Sequence, residues 1–212
     1  MSAERPRRPR RIGVFGGTFD PPHTGHLALA ERARDELGLA RVVFVPAADP
    51  PHKRARTKSA FAHRLAMTRL AVRGHAAFAV SDAEAKRPGP SYTVETLREL
   101  RRRHPAAELW LLLGEDSLRD LPGWNSPAEI ARLARLAVAP RPESGRPRAP
   151  RAGPASPPRR GRRRIAWLSG PVLEISSSDL RARARRGRSL RVLVPDAIAA
   201  YVRRRRLYRR GS

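Results

Sequence analysis

Two kinds of apolar segment alternate along this chain. Short continuous runs rich in β-branched and aromatic residues stand at 11–15 (RIGVF), 41–46 (RVVFVP), 77–81 (AFAVS), 109–114 (LWLLLG), 135–139 (RLAVA) and 165–169 (IAWLS). Runs that are apolar on successive positions predict strands buried on both faces. Between them the apolar residues space out by three and four. In TGHLALAERARDELG, Leu27, Ala30, Ala33, Arg34 and Leu37 fall near helical spacing and Gly38 closes the segment. A helix is predicted over 59–74, opened by Ser59 and ended by Gly74, and another over 92–104. A further one follows Ser126, with Pro127 at the first helical position and Glu129 three residues after the serine, as in a capping box.

Strands separated by helices of this length predict an α/β fold: an open parallel sheet flanked by helices on both faces, with right-handed crossovers. There is no internal repeat. At 212 residues the chain suits one domain with a real core. That domain is expected over 11–212, after a disordered lead-in at 1–10. Residues 140–164, PRPESGRPRAPRAGPASPPRRGRRR, carry too few apolar side chains to pack against anything and are expected to form a flexible loop.

Charge changes the picture less than its size suggests. The formal net charge is +26, which invites a nucleic-acid reading. Yet only three of the 45 basic residues are lysine (Lys53, Lys58 and Lys86), and Ala, Pro and Gly are abundant. That bias fits GC-rich coding, which favours arginine codons. The heaviest runs, RRGRRR (159–164) and RRRRLYRR (203–210), lack aromatics spaced for base stacking. A solvated surface is the better reading, and no specific nucleic acid is expected as a partner. With no cysteine, disulfides, thiolate-bound metals and cysteine nucleophiles are excluded. No apolar run approaches the roughly 18 residues of a membrane span, and the N-terminus lacks the apolar middle of a secretory signal. A cytoplasmic protein without membrane contact is expected.

One stretch asks for a chemical explanation. FGGTFDPPHTGH, residues 15–26, holds three glycines, two prolines and two histidines where the first strand feeds the first helix. In open parallel sheets ligands sit at the carboxyl ends of the strands. Glycines let backbone approach a ligand, and a helix N-terminus presents free N–H groups to an anion. No Gly-Lys-Ser/Thr follows, so this is not a P-loop, and the spacing Gly13, Gly16, Gly17 is not the dinucleotide fingerprint. His23 and His26 lie on one side of a first helical turn, so both rings can face a phosphate from the same direction. His63, His75 and His104 carry no motif and are assigned to the surface.

His23-Thr24-Gly25-His26 resembles the HxGH signature of the nucleotidylyltransferase superfamily. The longer segments GGTFDPPHTGH, PPHK (50–53), RPGPSYTVETL (87–97), LLGEDSLRDLPGWNSPAEI (112–130) and ISSSDLRARARRGRSLRVLVPDAIAAYVRRRRLY (175–208) are similar, in order and spacing, to the bacterial nicotinate-nucleotide adenylyltransferases. The resemblance spans the chain after residue 11, and its main departure is the loop 140–164. It implies a Rossmann-like nucleotidylyltransferase domain with a small C-terminal helical part. It also implies the reaction of nicotinate mononucleotide with ATP and Mg²⁺ to give deamido-NAD and pyrophosphate.

The resemblance further implies roles for single residues. Gly16, Gly17, Thr18 and Phe19 match the loop that lies along the nucleotides. His23 and His26 match the pair that binds and polarises phosphates, and His52 and Lys53 match the segment near the ATP phosphates. Ile175, Ser176 and Ser177 belong to a second phosphate motif, in which Ser176 caps a helix running to about Arg186, ended by Gly187. Ser177 and Arg181 there point at the phosphates. Ser178 and Leu180 stand where the family has Thr and Ile, with no expected donor lost. Gly114 and Asp116 match positions against the adenosine, and Arg141 matches an arginine near the ATP. Thr93 and Trp124 match positions that hold the nicotinate by hydrogen bonding and stacking, with Asn125 contributing through its backbone. No side chain is expected to ligate a metal directly. The Ser126 helix start favours a carboxylate over an amide.

Two alternatives stand beside this reading. Another HxGH adenylyltransferase would take nicotinamide mononucleotide or phosphopantetheine as acceptor; the pantetheine-phosphate enzymes lack the SYTVETL and GWN segments. A basic nucleic-acid-binding protein on a similar scaffold is the other. A homo-oligomer is left open.

Overall fold

Residues 10–49, 59–140, 165–169 and 173–209 are described by a computed structural model. Six strands form one all-parallel sheet: β1 (Arg11–Gly17), β2 (Arg41–Pro46), β3 (Phe78–Val80), β4 (Glu108–Gly114), β5 (Arg135–Ala139) and β6 (Ile165–Trp167). Their order is β3-β2-β1-β4-β5-β6. The chain moves outward from β1 to β3 and then returns to the other side of β1 with β4. The order therefore reverses between β1 and β4, and a crevice opens there at the strands' carboxyl ends.

Alternation along each strand builds two cores. Val42, Phe44, Trp110, Leu112, Ala137 and Ala139 face one side of the sheet. Val43, Val45, Leu109, Leu111, Leu113, Leu136 and Val138 face the other. Both faces are apolar, which is why these strands read as continuous runs.

Four helices cover the first face: α1 (Thr24–Leu37), α2 (Phe61–Ala71), α6 (Ser177–Arg185) and α7 (Asp196–Arg204), through Ala30, Ala33, Leu37, Met67, Ala71, Leu180, Ile198 and Val202. Two cover the second: α3 (Thr93–Arg103), through Val94, Leu97 and Leu100, and α5 (Pro127–Leu133), through Ile130. The remaining helix, α4 (Glu115–Asp120), follows β4 directly. Gly38 ends α1 in the left-handed conformation at φ 61°, which glycine adopts without a Cβ penalty. Ser176 caps α6 by accepting from the Asp179 N–H at 3.1 Å.

Three local expectations are corrected. Helix α2 starts at Phe61 and ends at Ala71, so neither Ser59 nor Gly74 bounds it. Ser59 is drawn instead into a buried polar cluster, its N–H on Asp20 Oδ2 at 3.3 Å and its carbonyl on Arg64 Nε at 3.2 Å. The Ser126–Glu129 capping box does not form. Ser126 sits at φ 53°, and its hydroxyl donates to Asn125 Oδ1 at 3.1 Å. Glu129 is held by Arg98 through two guanidinium nitrogens, a charge-assisted fork stronger than a neutral cap. His63, expected at the surface, is half-buried with Nδ1 2.9 Å from Tyr201 Oη, joining α2 to α7. His75 and His104 are exposed as expected. The lead-in 1–9 and the stretch 141–164 lie outside the described residues. Among the described residues no helix is long and apolar enough to cross a membrane.

Candidate active site

The crevice between β1 and β4 is a cleft of about 400 Å³. Gly16, Gly17 and Thr18 line it from the end of β1, and Gly114 from the end of β4. Thr93, the first residue of α3, lines it from one side, with Trp124 and Asn125 just before α5. The sheet's switch point thus gathers the glycine loop and all three residues expected at a pyridine ring.

The two histidines stand at the start of α1. His23 is its N-cap residue, and its N–H donates to His26 Nδ1 at 3.2 Å. The His26 proton therefore sits on Nε2, which leaves that nitrogen as a donor. The ring centroids lie 3.6 Å apart at 31°, so the rings lie close together, as the spacing predicts. Phe19, itself at φ 50° and buried, packs edge-on against His26 at 5.1 Å. Gly25 belongs to the same fit: a Cβ there would come within 3.1 Å of His23 Nδ1.

The loop between β1 and His23 is braced from the far end of the chain. Arg181 Nη1 donates to the Asp20 carbonyl at 2.8 Å, and Ser177 Oγ to the Pro21 carbonyl at 2.9 Å. Thr24 donates its N–H and its hydroxyl to the Leu193 carbonyl, at 3.0 and 2.8 Å. Asp20, 1% exposed, accepts from Tyr208 Oη at 2.7 Å. Arg181 and Ser177, expected beside phosphates, hold the loop that carries the histidines.

The other expected residues fall as follows. Asp116 is exposed in the first turn of α4, outside the cleft lining, with Arg119 at 3.8 Å. Ile175 packs against the first core just before the Ser176 cap. His52, Lys53 and Arg141 lie outside the described residues. Several residues that sequence reasoning passed over stand at the site. Asp20, Arg64 and Tyr208 form a buried cluster behind the loop, and Glu84 and Ser91 line the cleft. None of the five carries a periodic or spacing signal, although Asp20, Ser91 and Tyr208 sit inside quoted segments.

Burial sets the electrostatics. His23, 6% exposed, has its pKa lowered from 6.5 to about 4 by desolvation, so it is neutral at pH 7. Glu84 is pushed up by burial, against the hydroxyls of Thr96 and Ser91, which pull it down. The His23 shift has a measurable consequence for the ligand-free protein. Unfolded His23 takes up its proton below 6.5, but the folded residue does so only near 4. The unfolded state binds more protons in that window, so stability falls on acidification, by on the order of 3 kcal/mol across it. Urea unfolding at pH 7 and pH 4.5 should show a smaller acid-induced loss in His23→Gln than in wild type. An equal loss in both would assign the effect elsewhere.

The sequence matches the family described as Cytidylyltransferase-like over residues 14–183. It is 46% identical over 205 residues to a Thermomicrobium roseum protein named "Probable nicotinate-nucleotide adenylyltransferase", covering 94% of this chain and 92% of that one. A Synechococcus protein of the same name is 46% identical over 209 residues, covering 98% and 99%. Among solved structures, the fold is similar to a Plasmodium falciparum nicotinic acid mononucleotide adenylyltransferase complexed with NaAD. That match has a TM-score of 0.73 at 16% identity, covering 94% of this chain and 97% of that one.

Proposed function

The chain belongs to the cytidylyltransferase-like family, and from that membership we propose that it is an adenylyltransferase acting on nicotinate mononucleotide. It joins that mononucleotide to the AMP part of ATP, giving deamido-NAD and pyrophosphate in NAD biosynthesis. The observation that carries this reading is near-full-length identity to relatives named for the activity. The cleft supports it by bringing Thr93 and Trp124 to the glycine loop.

The nucleophile is the 5′-phosphate of the mononucleotide, a monoester whose second pKa near ~6 leaves it ionised at neutral pH. No general base is needed. Its oxygen attacks the α-phosphorus of ATP in line, and the bond to the departing pyrophosphate breaks. The protein's work is to hold two repelling anions in line and to stabilise charge on the transferring and departing phosphates. His26 Nε2–H, His23, Lys53 and Arg181 are proposed for that role, with Gly16, Gly17, Thr18, Phe19, His52, Arg141, Ile175, Ser176 and Ser177 along the ATP. Gly114 and Asp116 are proposed at the adenosine. Mg²⁺ is proposed to arrive as part of the ATP substrate, on triphosphate oxygens whose hardness suits it. Among the described residues no three His, Cys, Asp or Glu side chains are grouped to hold a metal ion. The enzyme is proposed to act in the cytoplasm.

The test is pyrophosphate release with ATP, Mg²⁺ and, in separate reactions, nicotinate mononucleotide, nicotinamide mononucleotide and phosphopantetheine. Release with the first is expected. Release only with phosphopantetheine, or with none, overturns the reading.

Preference between the two mononucleotides is expected to be at least about tenfold in kcat/KM toward the acid, roughly 1.4 kcal/mol. With the Ser126 cap absent, the polarity that favours a carboxylate comes from α3, whose first residue Thr93 lines the cleft. Trp124→Ala should weaken both substrates by removing a stacking face, while Thr93→Val should hurt the acid selectively. Equal kcat/KM for the two mononucleotides in the wild type defeats the preference and leaves adenylyl transfer standing.

A further inference from the structure

The three residues that follow β2, Ala47–Asp49, are hydrogen-bonded on both sides, by Arg64 of the buried cluster and by Ser91 of the cleft wall. Arg64 of α2 takes their carbonyls: Nη1 donates to Ala47 O at 2.6 Å and Nη2 to Ala48 O at 3.2 Å. Ser91 takes their amides, the N–H groups of Ala48 and Asp49 both donating to its Oγ at 3.0 Å. Arg64 reaches further. Nη1 also donates to the Thr18 carbonyl at 3.0 Å, and Nε to the Ser59 carbonyl at 3.2 Å. Four carbonyls from three separate stretches therefore converge on one guanidinium that is only 2% exposed. The planar fork of arginine can serve them together; the single ammonium of lysine, at the end of a flexible stem, cannot.

Ser91 also stands by Glu84, whose carboxyl its hydroxyl pulls down while burial pushes it up. Glu84 Oε1 also accepts from Thr96 of α3 at 2.8 Å. Thr18, Ala47, Glu84 and Ser91 all line the cleft, and Thr93 stands two residues after Ser91. Hydrogen bonds thus link the glycine loop at Thr18, through Arg64 and the segment after β2, to Ser91, two residues before α3. Burying a guanidinium is costly, and an apolar side chain of similar volume would often serve stability as well. What the apolar side chain could not do is fix these three stretches relative to one another.

We propose that Arg64 and Ser91 are positioning residues for the transfer reaction: through Ala47–Asp49 they set the separation between the phosphate loop at Thr18 and the pyridine wall at Thr93, so that the attacking phosphate meets the α-phosphorus in line. Neither touches the reacting atoms. The proposal rests on the adenylyl-transfer reading above, and the wild-type protein separates the two. If the wild type makes no deamido-NAD, it is that reading which fails.

With an active wild type, kcat and both KM values are measured per folded molecule, at a temperature well below each variant's Tm. Arg64→Lys is expected to lower kcat roughly tenfold or more, with each KM changed by less than about threefold, because misalignment acts on the aligned complex rather than on binding. Arg64→Met should lose more, so that lysine counts as partial rescue. Ser91→Ala should reproduce the kcat-selective loss. The Arg64→Lys/Ser91→Ala pair should fall by less than the product of the singles, since both act on one segment. A merely structural role would lower Tm and leave kcat per folded molecule at the wild-type value; that result in either single variant overturns the proposal, as does a fully multiplicative double variant. If the Arg64 variants do not fold, Ser91→Ala decides alone, by the same kcat criterion.

Discussion

Replacing His26 by alanine is expected to lower turnover by on the order of 10²-fold or more, with a much smaller change in ATP binding. The reason lies in how the ring is held. Its Nδ1 accepts the N–H of His23, which fixes both the tautomer and the direction of Nε2–H. Phe19 packs edge-on against it and restrains the ring further. A donor so prepared needs no reorganisation as charge grows on the phosphates, so its value is greater in the transition state than in the ground state. His23→Ala should behave similarly, for a related reason: a buried neutral imidazole 3.6 Å from its partner ring waits for an anion to favour its charged form. The measurement is steady-state kcat and KM for ATP, with ATP affinity taken separately from equilibrium binding. Near-normal turnover in both single variants removes the phosphate role from the pair.

Asp20→Ala should be the most damaging substitution for stability, by about 3–5 kcal/mol, the usual result of stranding a buried charge. The carboxylate accepts from Tyr208 Oη at 2.7 Å and from the Ser59 N–H at 3.3 Å. It also offsets the charge of Arg64, whose pKa burial lowers and Asp20 raises. Desolvation and the neighbouring carboxylate raise the Tyr208 phenol too, so it remains a donor at every working pH. Removing Asp20 leaves Tyr208 Oη and one amide without this acceptor, and Arg64 without its compensating charge. Denaturant unfolding at pH 7 measures the loss. Tyr208→Phe, which removes only one donor to a charged acceptor, should cost about 1.5–3 kcal/mol. An Asp20→Ala protein within 1 kcal/mol of wild type would contradict this account of the cluster.

The contrast between these two sites explains what the sequence could disclose. Strands buried on both faces announce themselves as apolar runs, because alternate residues enter different cores yet all are apolar. Leu109 to Leu113 do so in β4. The Ser176 cap was legible because its partner, the Asp179 N–H, is three residues away. The Ser126 box has the same local form and fails, because Arg98, 31 residues distant, takes Glu129. Ser59 fails as a helix start for the same reason, since Asp20 and Arg64 claim it. Short elements such as α4, and the 3₁₀ turns Ala83–Lys86 and Leu121–Gly123, have too few residues for any period to emerge. The histidine pair was legible because its spacing, three residues at a helix start, is local. Arg64 was not, because its acceptors are backbone carbonyls remote in sequence, and one more arginine among 45 basic residues carries no signal.

The bracing of the histidine loop has a consequence for synthesis. The loop that opens at Thr18 leaves the ribosome well before several groups that tie it down, which come from Ser177, Arg181, Leu193 and Tyr208, 156 to 188 residues later. Contacts so distant in sequence cannot form while the intervening chain is still being added. A nascent chain stopped after β5 already carries the glycines, both histidines and Arg64, but none of the bracing from Ser177, Arg181, Leu193 and Tyr208. The final shape of the histidine loop is therefore set only once residues 177–208 have been made, and a chain truncated before them holds the motif without its bracing.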